Sequence, residues 1–483
     1  MGNHKKLQLV IKFVYSFVFF IGAYSTANAQ QLLWERIFDN GEENISNSIS
    51  TDSDDNIIIA GFSGYPNGLI VKYNSEGDTL WTCLNDVPIS AVACDSEKNI
   101  IVFGTMYIED SMRVCILKYD PEGNLLWRQQ TKGINIFNGH SSSTGCLAID
   151  SKNNIVIAGI YLSDEYDYLT LKFNSDGDLI WYRTYQDAEN YCGAPDGVAI
   201  DKSDNIIITG RSIFNRVWNW RTLKYDQNGD LLWAVEQYRT SCNDYAYGVT
   251  SDQEDNIIVV GYVDSLNTKW WPFIIKYTPD GDTLWTKKFQ LYPDSYDFSF
   301  YDVVTDSLDN IIICGIYRPT SSWGEYFVCK LDQNGNLSWT FNEMVDTNLI
   351  HYVQDMAIDD NGDIFVTGAV ELNTCDCYTI KIRDIVTDIG DNKQIPQKFS
   401  LYPNIPNPFN AMTTLKYQLI DKNFVDLTIY DLLGRKIITL VSQMQSAGVY
   451  TFRWNAFDIP SGIYIACLKA GNRFSSQKIV LLK

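Results

Sequence analysis

A ten-residue segment that recurs along most of the chain constrains its fold more than any other feature. Six full copies end in Trp, namely KYNSEGDTLW (72–81), KYDPEGNLLW (118–127), KFNSDGDLIW (172–181), KYDQNGDLLW (224–233), KYTPDGDTLW (276–285) and KLDQNGNLSW (330–339). A truncated copy, QLLW (31–34), precedes them. The period of about 50 residues lies in the range where repeat arrays and propellers are the first folds to consider.

A second block precedes each copy and reveals what the unit builds. Its members are DNIIIAG (55–61), KNIIVFG (98–104), NNIVIAG (153–159), DNIIITG (204–210), DNIIVVG (255–261), DNIIICG (309–315) and a seventh, GDIFVTG (362–368). Val and Ile without polar alternation predict a strand that is buried on both faces. The Asn-Gly, Asp-Gly and Glu-Gly pairs of the ten-residue segment predict a tight hairpin. Each unit is therefore expected to form four short strands.

Four-stranded sheets that need cover on both faces favour a propeller, in which each blade covers its neighbours. An open solenoid is the alternative, but it needs polar caps at both ends. The seventh unit lacks an outer strand, and the first residues after the leader supply one. We therefore predict an all-β chain with a seven-bladed β-propeller over residues 30–385. The N-terminal strand closes it, and Trp34 packs against the blade that contains Phe365.

These repeats resemble the bacterial seven-bladed repeats known as SBBP repeats and, more distantly, the repeats of pyrroloquinoline-quinone enzymes. The quinone-enzyme signature is displaced in this chain, because the turn of that signature carries an extra residue before the Gly. No constellation matches the calcium-bearing centre of those enzymes, so we expect no cofactor and no metal.

The first 29 residues have the pattern of a secretory signal peptide. Lys5, Lys6 and Lys12 precede an apolar run, and Ala27 and Ala29 place small residues at a cleavage site. The apolar run of about twelve residues is shorter than the roughly 20 that a membrane-spanning helix needs. We expect export without a transmembrane anchor.

The composition changes after a polar linker at 386–399. Residues 400–483 contain alternating strands and predict a small immunoglobulin-like β-sandwich. Their motifs Pro-Asn-Pro-Phe-Asn (406–410), Tyr-Asp-Leu-Leu-Gly-Arg (430–435) and Pro-Ser-Gly-Ile-Tyr (460–464) resemble the type A C-terminal sorting domain of the type IX secretion system. The resemblance implies type IX machinery as a partner and a final location outside the cell or on its outer surface. An ordinary adhesion module of the same fold is the alternative.

Charge and cysteine content narrow the partners further. A formal charge of −21 disfavours nucleic acid and anionic membranes. The eleven cysteines lie far apart in a chain with ample core, so free thiols are expected at most positions. Cys314 and Cys329 lie on successive predicted strands, and Cys192 and Cys242 lie in similar loops of successive repeats, so these are the two candidate pairs for a disulfide.

Five tryptophans outside the repeat positions form the candidate ligand-binding site. They are Trp218, Trp220, Trp270, Trp271 and Trp323, all between the second and third strands of units four to six. Tyr191, Tyr245, Tyr247, Tyr292 and Tyr296 lie in loops predicted on the same side. Aromatic rings beside Asp196, Asp302 and Asp355 suit a glycan or protein ligand. Packing between blades is the alternative explanation, especially for Trp220.

An enzyme is the second hypothesis. The same three carboxylates, with His351, are predicted where inner strands begin and would suit a polysaccharide hydrolase or lyase. The Asp residues of the repeat turns are interpreted as turn formers, because the spacing of a sialidase Asp-box is absent. A non-enzymatic, exported binding protein is the function that we favour. A purely structural surface-layer component, without a selective ligand, is a third hypothesis.

Overall fold

A computed structural model describes most of the chain. The described residues are 30–108, 111–131, 136–137, 146–161, 167–186, 191–214, 217–237, 243–264, 270–289, 297–318, 325–343, 350–371, 375–384, 398–404, 407–410, 412–421, 423–445, 448–456 and 459–482. Within them every regular element is a β-strand. The predicted signal peptide (1–29) and most of the predicted linker lie outside the described residues.

Residues 33–381 form one compact unit, built of sheets that follow chain order. The strands are β1 (Gln30–Phe38); β2 (Asn44–Thr51), β3 (Ile57–Ser63), β4 (Gly68–Tyr73) and β5 (Thr79–Asn85); β6 (Ile89–Cys94), β7 (Ile100–Ile108), β8 (Ser111–Tyr119) and β9 (Leu125–Gln130); β10 (Ile136–Phe137), β11 (Leu147–Ile149), β12 (Ile155–Tyr161), β13 (Asp167–Phe173) and β14 (Leu179–Tyr185); β15 (Tyr191–Ile200), β16 (Ile206–Phe214), β17 (Val217–Tyr225) and β18 (Leu231–Gln237); β19 (Asp244–Ser251), β20 (Ile257–Asp264), β21 (Trp270–Tyr277) and β22 (Thr283–Lys288); β23 (Asp297–Thr305), β24 (Ile311–Arg318), β25 (Glu325–Leu331) and β26 (Leu337–Glu343); β27 (Ile350–Ile358), β28 (Asp363–Glu371) and β29 (Cys375–Asp384).

The sheets are antiparallel and consistent with propeller blades. Five have four strands in chain order, from β2–β5 to β23–β26, whereas in the β10–β14 sheet both β10 and β11 pair with β12. The second strands are buried along their lengths, as the unbroken Val and Ile runs predict. First strands lie beside first strands of the next sheet: β2 beside β6, β6 beside β11, β11 beside β15, β15 beside β19, β19 beside β23, β23 beside β27, and β27 beside β2.

Strand β1 completes the last of these sheets, whose order is β1-β29-β28-β27. The predicted contact of Trp34 with Phe365 is confirmed, since the ring centroids lie 6.0 Å apart. The Trp34 indole Nε1 also donates a hydrogen bond of 3.0 Å to the carbonyl oxygen of Ser75, in the turn between β4 and β5. The strand that begins the described chain thus joins the sheet formed by β27 to β29.

A buried Lys–Asp ion pair recurs in the sheets and explains two repeat positions. In the β15–β18 sheet, Lys224 Nζ lies 2.9 Å from Asp201 Oδ2 and donates to the carbonyl of Pro279 in the next sheet. Equivalent pairs are Lys72–Asp52, Lys118–Asp95, Lys172–Asp150, Lys276–Asp252 and Lys330–Asp306. In the last sheet Lys381 lies 2.9 Å from Asp363, which takes the place of Asn205, and 3.7 Å from Asp359, which takes the place of Asp201. Burial opposes ionisation of Asp52, but hydrogen bonds from Lys72 and Asn56 outweigh it and lower the pKa.

The hairpin turns use their Asp residues as the sequence predicts. The carboxylate of Asp226 accepts hydrogen bonds of 2.8 Å from the backbone N–H groups of Asn228 and Asp230. Gly229 has a φ of +82°, and a Cβ there would lie 3.1 Å from the Trp181 ring of the preceding sheet. The acidic residues of these turns are therefore turn formers, and the glycine permits close packing between sheets.

The second unit contains residues 382–483 and is a two-layer sandwich. Its strands are β30 (Ser400–Leu401), β31 (Met412–Leu419), β32 (Asn423–Asp431), β33 (Lys436–Gln445), β34 (Gly448–Asn455), β35 (Gly462–Ala470) and β36 (Arg473–Leu481). One sheet has the order β30-β31-β34 and the other β33-β32-β35-β36. Leu415, Leu427, Trp454, Leu468 and Ile479 are among the residues of the shared core.

The described cysteines form no disulfide. Nine are free thiols, and among them Cys314 and Cys329 are fully buried. The side chains of Cys192 and Cys242 lie outside the described residues. Among the described elements, no helix is long and apolar enough to cross a membrane.

Candidate functional site

The structure brings two of the five predicted tryptophans into an aromatic cluster. Trp218, on β17, lies 6.3 Å from Tyr245 of β19, and Trp270, on β21, stacks on Tyr262 of β20 at 5.0 Å. Tyr245 and Tyr262 are cross-strand partners and stack at 4.9 Å. The β15–β18 and β19–β22 sheets therefore jointly build this cluster.

Two further tyrosines extend the cluster to a third sheet. Tyr247 stacks on Tyr245 at 6.3 Å, and Tyr301 of β23 stacks on Tyr247 at 5.3 Å. The rings of Trp270, Tyr262, Tyr245, Tyr247 and Tyr301 thus follow one another. We call these five residues, together with Trp218, the aromatic array.

Trp220 is not available to a ligand, which corrects its assignment to the site. Its side chain is 2% exposed, packs edge-on against Phe273 at 5.6 Å, and donates from Nε1 to the carbonyl of Tyr262. Trp220 lies two residues beyond Trp218 on β17, so both side chains point to the same face of the sheet, and the core covers that face more completely at Trp220. Trp220 is a core residue between two sheets.

Trp271 also packs into the protein more than its neighbour does. It is half-buried against the same core group as Trp220, and Lys288 Nζ lies 4.2 Å from its ring centroid. Trp270 precedes it on the opposite face of β21 and is 38% exposed. Trp323 and the predicted Tyr292 and Tyr296 lie outside the described residues, as does the side chain of Tyr191.

An arginine anchors the array, and sequence reasoning missed it. The guanidinium carbon of Arg211 lies 5.5 Å from the Trp218 ring centroid and 5.2 Å from that of Tyr245. Its Nη2 forms an ion pair of 3.1 Å with Asp196 Oδ1. Arg211 follows the Gly that ends the second block, but only the folded sheets bring it between the rings of Trp218 and Tyr245.

Asp196 is one of the predicted carboxylates, and its electrostatic environment is unusual. Burial raises its pKa to about 7, although the charge and hydrogen bond of Arg211 act in the opposite direction. Asp196 Oδ2 and Arg211 Nε have no hydrogen-bond partner within the described residues. The ion pair therefore keeps one buried acceptor and one buried donor that no described protein group uses.

The predicted position of the three carboxylates at the beginnings of inner strands is wrong. Asp196 lies within β15, and Asp302 and Asp355 lie within β23 and β27, because the strands extend further upstream than their apolar patterns indicate. A β-bulge interrupts each of these strands at this level. Such bulges redirect side chains, which explains why polar residues sit here inside buried strands.

Asp302 and Asp355 form a close carboxyl pair. The backbone N–H of Met356 donates to Asp302 Oδ2 at 3.2 Å and to Asp355 Oδ1 at 2.9 Å, and that of Ile49 donates to Asp355 Oδ2 at 2.9 Å. Burial, followed by the charge of Asp355, raises the pKa of Asp302 well above its usual range. Burial also raises the pKa of Asp355.

This carboxyl pair depends on close backbone packing. A Cβ on Gly248 would lie 2.7 Å from the Asp302 Cα, so only glycine permits β19 to approach β23 this closely. Asp196 is held instead by Arg211. The structure thus pairs two of the three predicted carboxylates with each other and leaves the third in a separate ion pair. The side chain of His351 lies outside the described residues.

The described side chains offer no metal centre. No group of three or more His, Cys, Asp or Glu residues among them has a geometry that could hold a metal ion.

Comparison with known proteins identifies the tail. The model of the secretion system C-terminal sorting domain matches residues 400–482. An uncharacterised WD repeat-containing protein of Acanthamoeba polyphaga mimivirus is 26% identical over 214 residues, which are 44% of this chain and 11% of the viral protein.

Solved structures with similar folds are distant in sequence. PorZ, a surface component of the type-IX secretion system of Porphyromonas gingivalis, is 10% identical with a TM-score of 0.44, and the match covers 90% of this chain and 59% of PorZ. The polysaccharide lyase Uly1 is 10% identical with a TM-score of 0.47, covering 72% of this chain and 91% of the lyase. None of these likenesses assigns an activity or a ligand to this chain. Residues 400–482 are a secretion system C-terminal sorting domain, which implies delivery by the type IX machinery to the cell surface or the extracellular space.

Proposed function

We propose that this chain is an exported, non-enzymatic β-propeller that binds a glycan or protein ligand through its aromatic array. In this proposal residues 1–29 direct passage into the periplasm, and the sorting domain directs passage across the outer membrane. The SBBP-like units form seven blades in a closed ring.

The ring is supported by contacts between the first and last sheets. Besides the pairing of β1 with β29, Asn361 Nδ2 donates to Asp55 Oδ2 at 2.8 Å, and Thr367 Oγ1 donates to Ser46 Oγ at 2.9 Å. Analogous turn-to-turn bonds join interior neighbours, such as Ser151 with Asp204. The same type of bond joins the first and last sheets. This favours closure of the sheets into a ring, which removes the open edge of the first and last sheets.

The observation that carries the binding proposal is the aromatic array itself. Stacked aromatic pairs contribute about 0.5–1.5 kcal/mol each beyond the area that they bury. The exposed end of the array is Trp270, which is 38% exposed, whereas Tyr262 beneath it is buried. Exposed aromatic side chains are enriched at binding sites. Aromatic rings stack on the apolar faces of sugar rings, so we favour a glycan over a protein ligand.

The carboxyl geometry favours binding over glycoside hydrolysis. Retaining glycosidases separate their two carboxyl groups by about 5–5.5 Å, and inverting ones by about 6.5–9.5 Å. Asp302 and Asp355 share one N–H donor and a hydrogen bond with each other. That arrangement leaves no space for a sugar or a water molecule between them.

A glycan array probed with the signal-peptide-free chain tests the proposal. We expect selective binding by the wild type and at least about 10-fold weaker binding by a Trp218→Ala, Trp270→Ala double variant, because two stacking surfaces are lost. The melting temperature of the variant should stay within about 2 °C of the wild type, because its two substituted side chains are not in the core.

A repeat-position variant provides the matched control. Trp233→Ala removes an indole that donates at 2.9 Å to the carbonyl of Pro279, so it should lower stability without altering glycan selectivity. If the double variant binds the glycan as strongly as the wild type does, the binding site does not include Trp218 and Trp270. A double variant that melts far below the wild type would instead assign Trp218 and Trp270 to packing.

A further inference from the structure

One outer strand of the first unit has an unusual composition for an exposed edge. Strand β5 is the last strand of the β2-β3-β4-β5 sheet, and among the described strands it pairs only with β4. Its sequence, Thr-Leu-Trp-Thr-Cys-Leu-Asn (79–85), contains no charged residue. About half of the backbone N–H and carbonyl groups of such a strand point away from its own sheet, where they can pair with another strand.

The outer strands of the other sheets of this unit all contain charge. Strands β1, β9, β14, β18, β22 and β26 end their sheets as β5 does. Each includes at least one charged residue, namely Glu35, Arg128, Arg183, Glu236, Lys287 and Glu343 in that order. Charged side chains on an edge strand discourage pairing with another chain. Strand β5 lacks this protection.

The exposed face of β5 is largely apolar. Leu80, Thr82 and Leu84 alternate along the strand and therefore share one face. Leu80 is 51% exposed and Leu84 is 58% exposed. On the opposite face, Trp81 is held within the first unit, because its Nε1 donates to the carbonyl of Pro121 at 3.1 Å. The two leucines are thus the side chains of β5 that a partner can cover.

The order of residues in β5 is close to a palindrome centred on Thr82. Residues at equal distances from Thr82 are alike in polarity: Leu80 with Leu84, Trp81 with Cys83, and Thr79 with Asn85. When two β5 strands pair antiparallel with their Thr82 residues opposite each other, Leu80 of each copy lies beside Leu84 of the other. Such self-complementarity is what a two-fold symmetric interface requires.

The charges that flank the strand are compatible with this pairing. Asp78 precedes β5 and Asp86 follows it, so the same register brings Asp78 of one copy towards Asp86 of the other. Asp86 Oδ1 already lies 2.6 Å from Arg128 Nη1. Asp78 therefore meets an ion pair, and two unpaired carboxylates do not face each other.

We propose that two copies of this chain form a two-fold dimer through antiparallel pairing of their β5 strands. The two four-stranded sheets then join into one continuous sheet, and the exposed leucines of both copies are covered. The dimer is additional to the glycan binding proposed above and does not depend on it.

Sedimentation velocity of the signal-peptide-free chain over a series of concentrations tests this. The wild type should show a reversible equilibrium between monomer and dimer. Thr82→Lys and Thr82→Glu should each weaken the dimer at least about 10-fold, because like charges then meet at the two-fold axis. An equimolar mixture of the two variants should associate again, because opposite charges then meet there.

Thr286→Lys and Thr286→Glu are the matched controls, because Thr286 follows Trp285 on β22 as Thr82 follows Trp81 on β5. Both should dimerise as the wild type does. The mixture separates a lost interface from a lost fold, since mixing does not restore a chain that fails to fold. A wild type that stays monomeric at every concentration would overturn the proposal and would leave a foreign strand as the partner of β5. Unchanged dimerisation of the single Thr82 variants, or a mixture that stays monomeric, would overturn it as well.

Discussion

Two regions of the first unit use the same residue types for opposite purposes. The Lys–Asp pairs and turn carboxylates recur from sheet to sheet, and each has its partners within the fold, as Lys224 has in Asp201 and the Pro279 carbonyl. The aromatic array occurs once, across three neighbouring sheets, and its Arg211–Asp196 pair keeps a donor and an acceptor without partners among the described residues. The residues that recur in every sheet hold the sheets together, and the residues that differ from the repeat form the candidate site.

The largest effect should come from breaking one repeated ion pair. Lys224→Met leaves Asp201 buried without its cation, and removing one member of a buried pair costs about 3–5 kcal/mol. The free energy of unfolding, from urea denaturation, measures this. Lys98→Met is the control, because the Lys98–Asp54 pair is exposed and exposed pairs contribute about 0–1 kcal/mol. Equal effects in the two variants would contradict a structural role for the repeated pairs.

A second comparison separates two tryptophans that the sequence places in one group. Trp220→Ala should destabilise the protein by about 3–4 kcal/mol, because it leaves a large cavity between two sheets. Trp270→Ala should cost less than about 1 kcal/mol, since its ring is partly exposed. Thermal unfolding of both variants measures the difference. If Trp270→Ala lowers stability more than Trp220→Ala does, the aromatic array belongs to the core of the protein.

Acid and alkali should affect the two regions differently. Because the folded pKa of Asp196 is raised to about 7, the unfolded chain releases this proton first. The free energy of unfolding should therefore fall as the pH rises from about 4 to about 7, by at most about 1.4 kcal/mol per pH unit. Asp196→Asn should reduce the dependence of the free energy of unfolding on pH, measured by urea denaturation at a series of pH values. The part of that dependence that comes from Asp302 and Asp355, whose pKa values are also raised, should remain.

The repeated pairs should respond in the opposite sense. The lowered pKa of Asp52 means that its pair stabilises the fold above about pH 4 and loses that contribution as the pH falls further. If the free energy of unfolding falls when the pH is lowered below 4 but does not fall when the pH is raised from 4 to 7, the environment described for Asp196 is contradicted.

Sequence patterns predicted the strands, the hairpin turns and the contact of Trp34 with Phe365, because these follow from local periodicity and a fixed repeat. They did not predict Arg211, whose role depends on Trp218 and Tyr245 arriving from two different sheets. The carboxylates were misplaced because a β-bulge shifts a side chain without altering the apolar pattern around it. Trp220 was grouped with Trp218 because the two residues share one face of β17, and spacing alone does not say where along a strand that face is covered.

Fluorine NMR tests the central claim most directly. The signal-peptide-free protein is labelled with 5-fluorotryptophan and titrated with the saccharide that binds most strongly on the glycan array. Trp→Phe variants assign the resonances. The account predicts that the Trp218 and Trp270 resonances shift on binding while those of repeat positions such as Trp233 stay fixed. Shifts confined to the repeat tryptophans, with Trp218 and Trp270 unmoved, would contradict it.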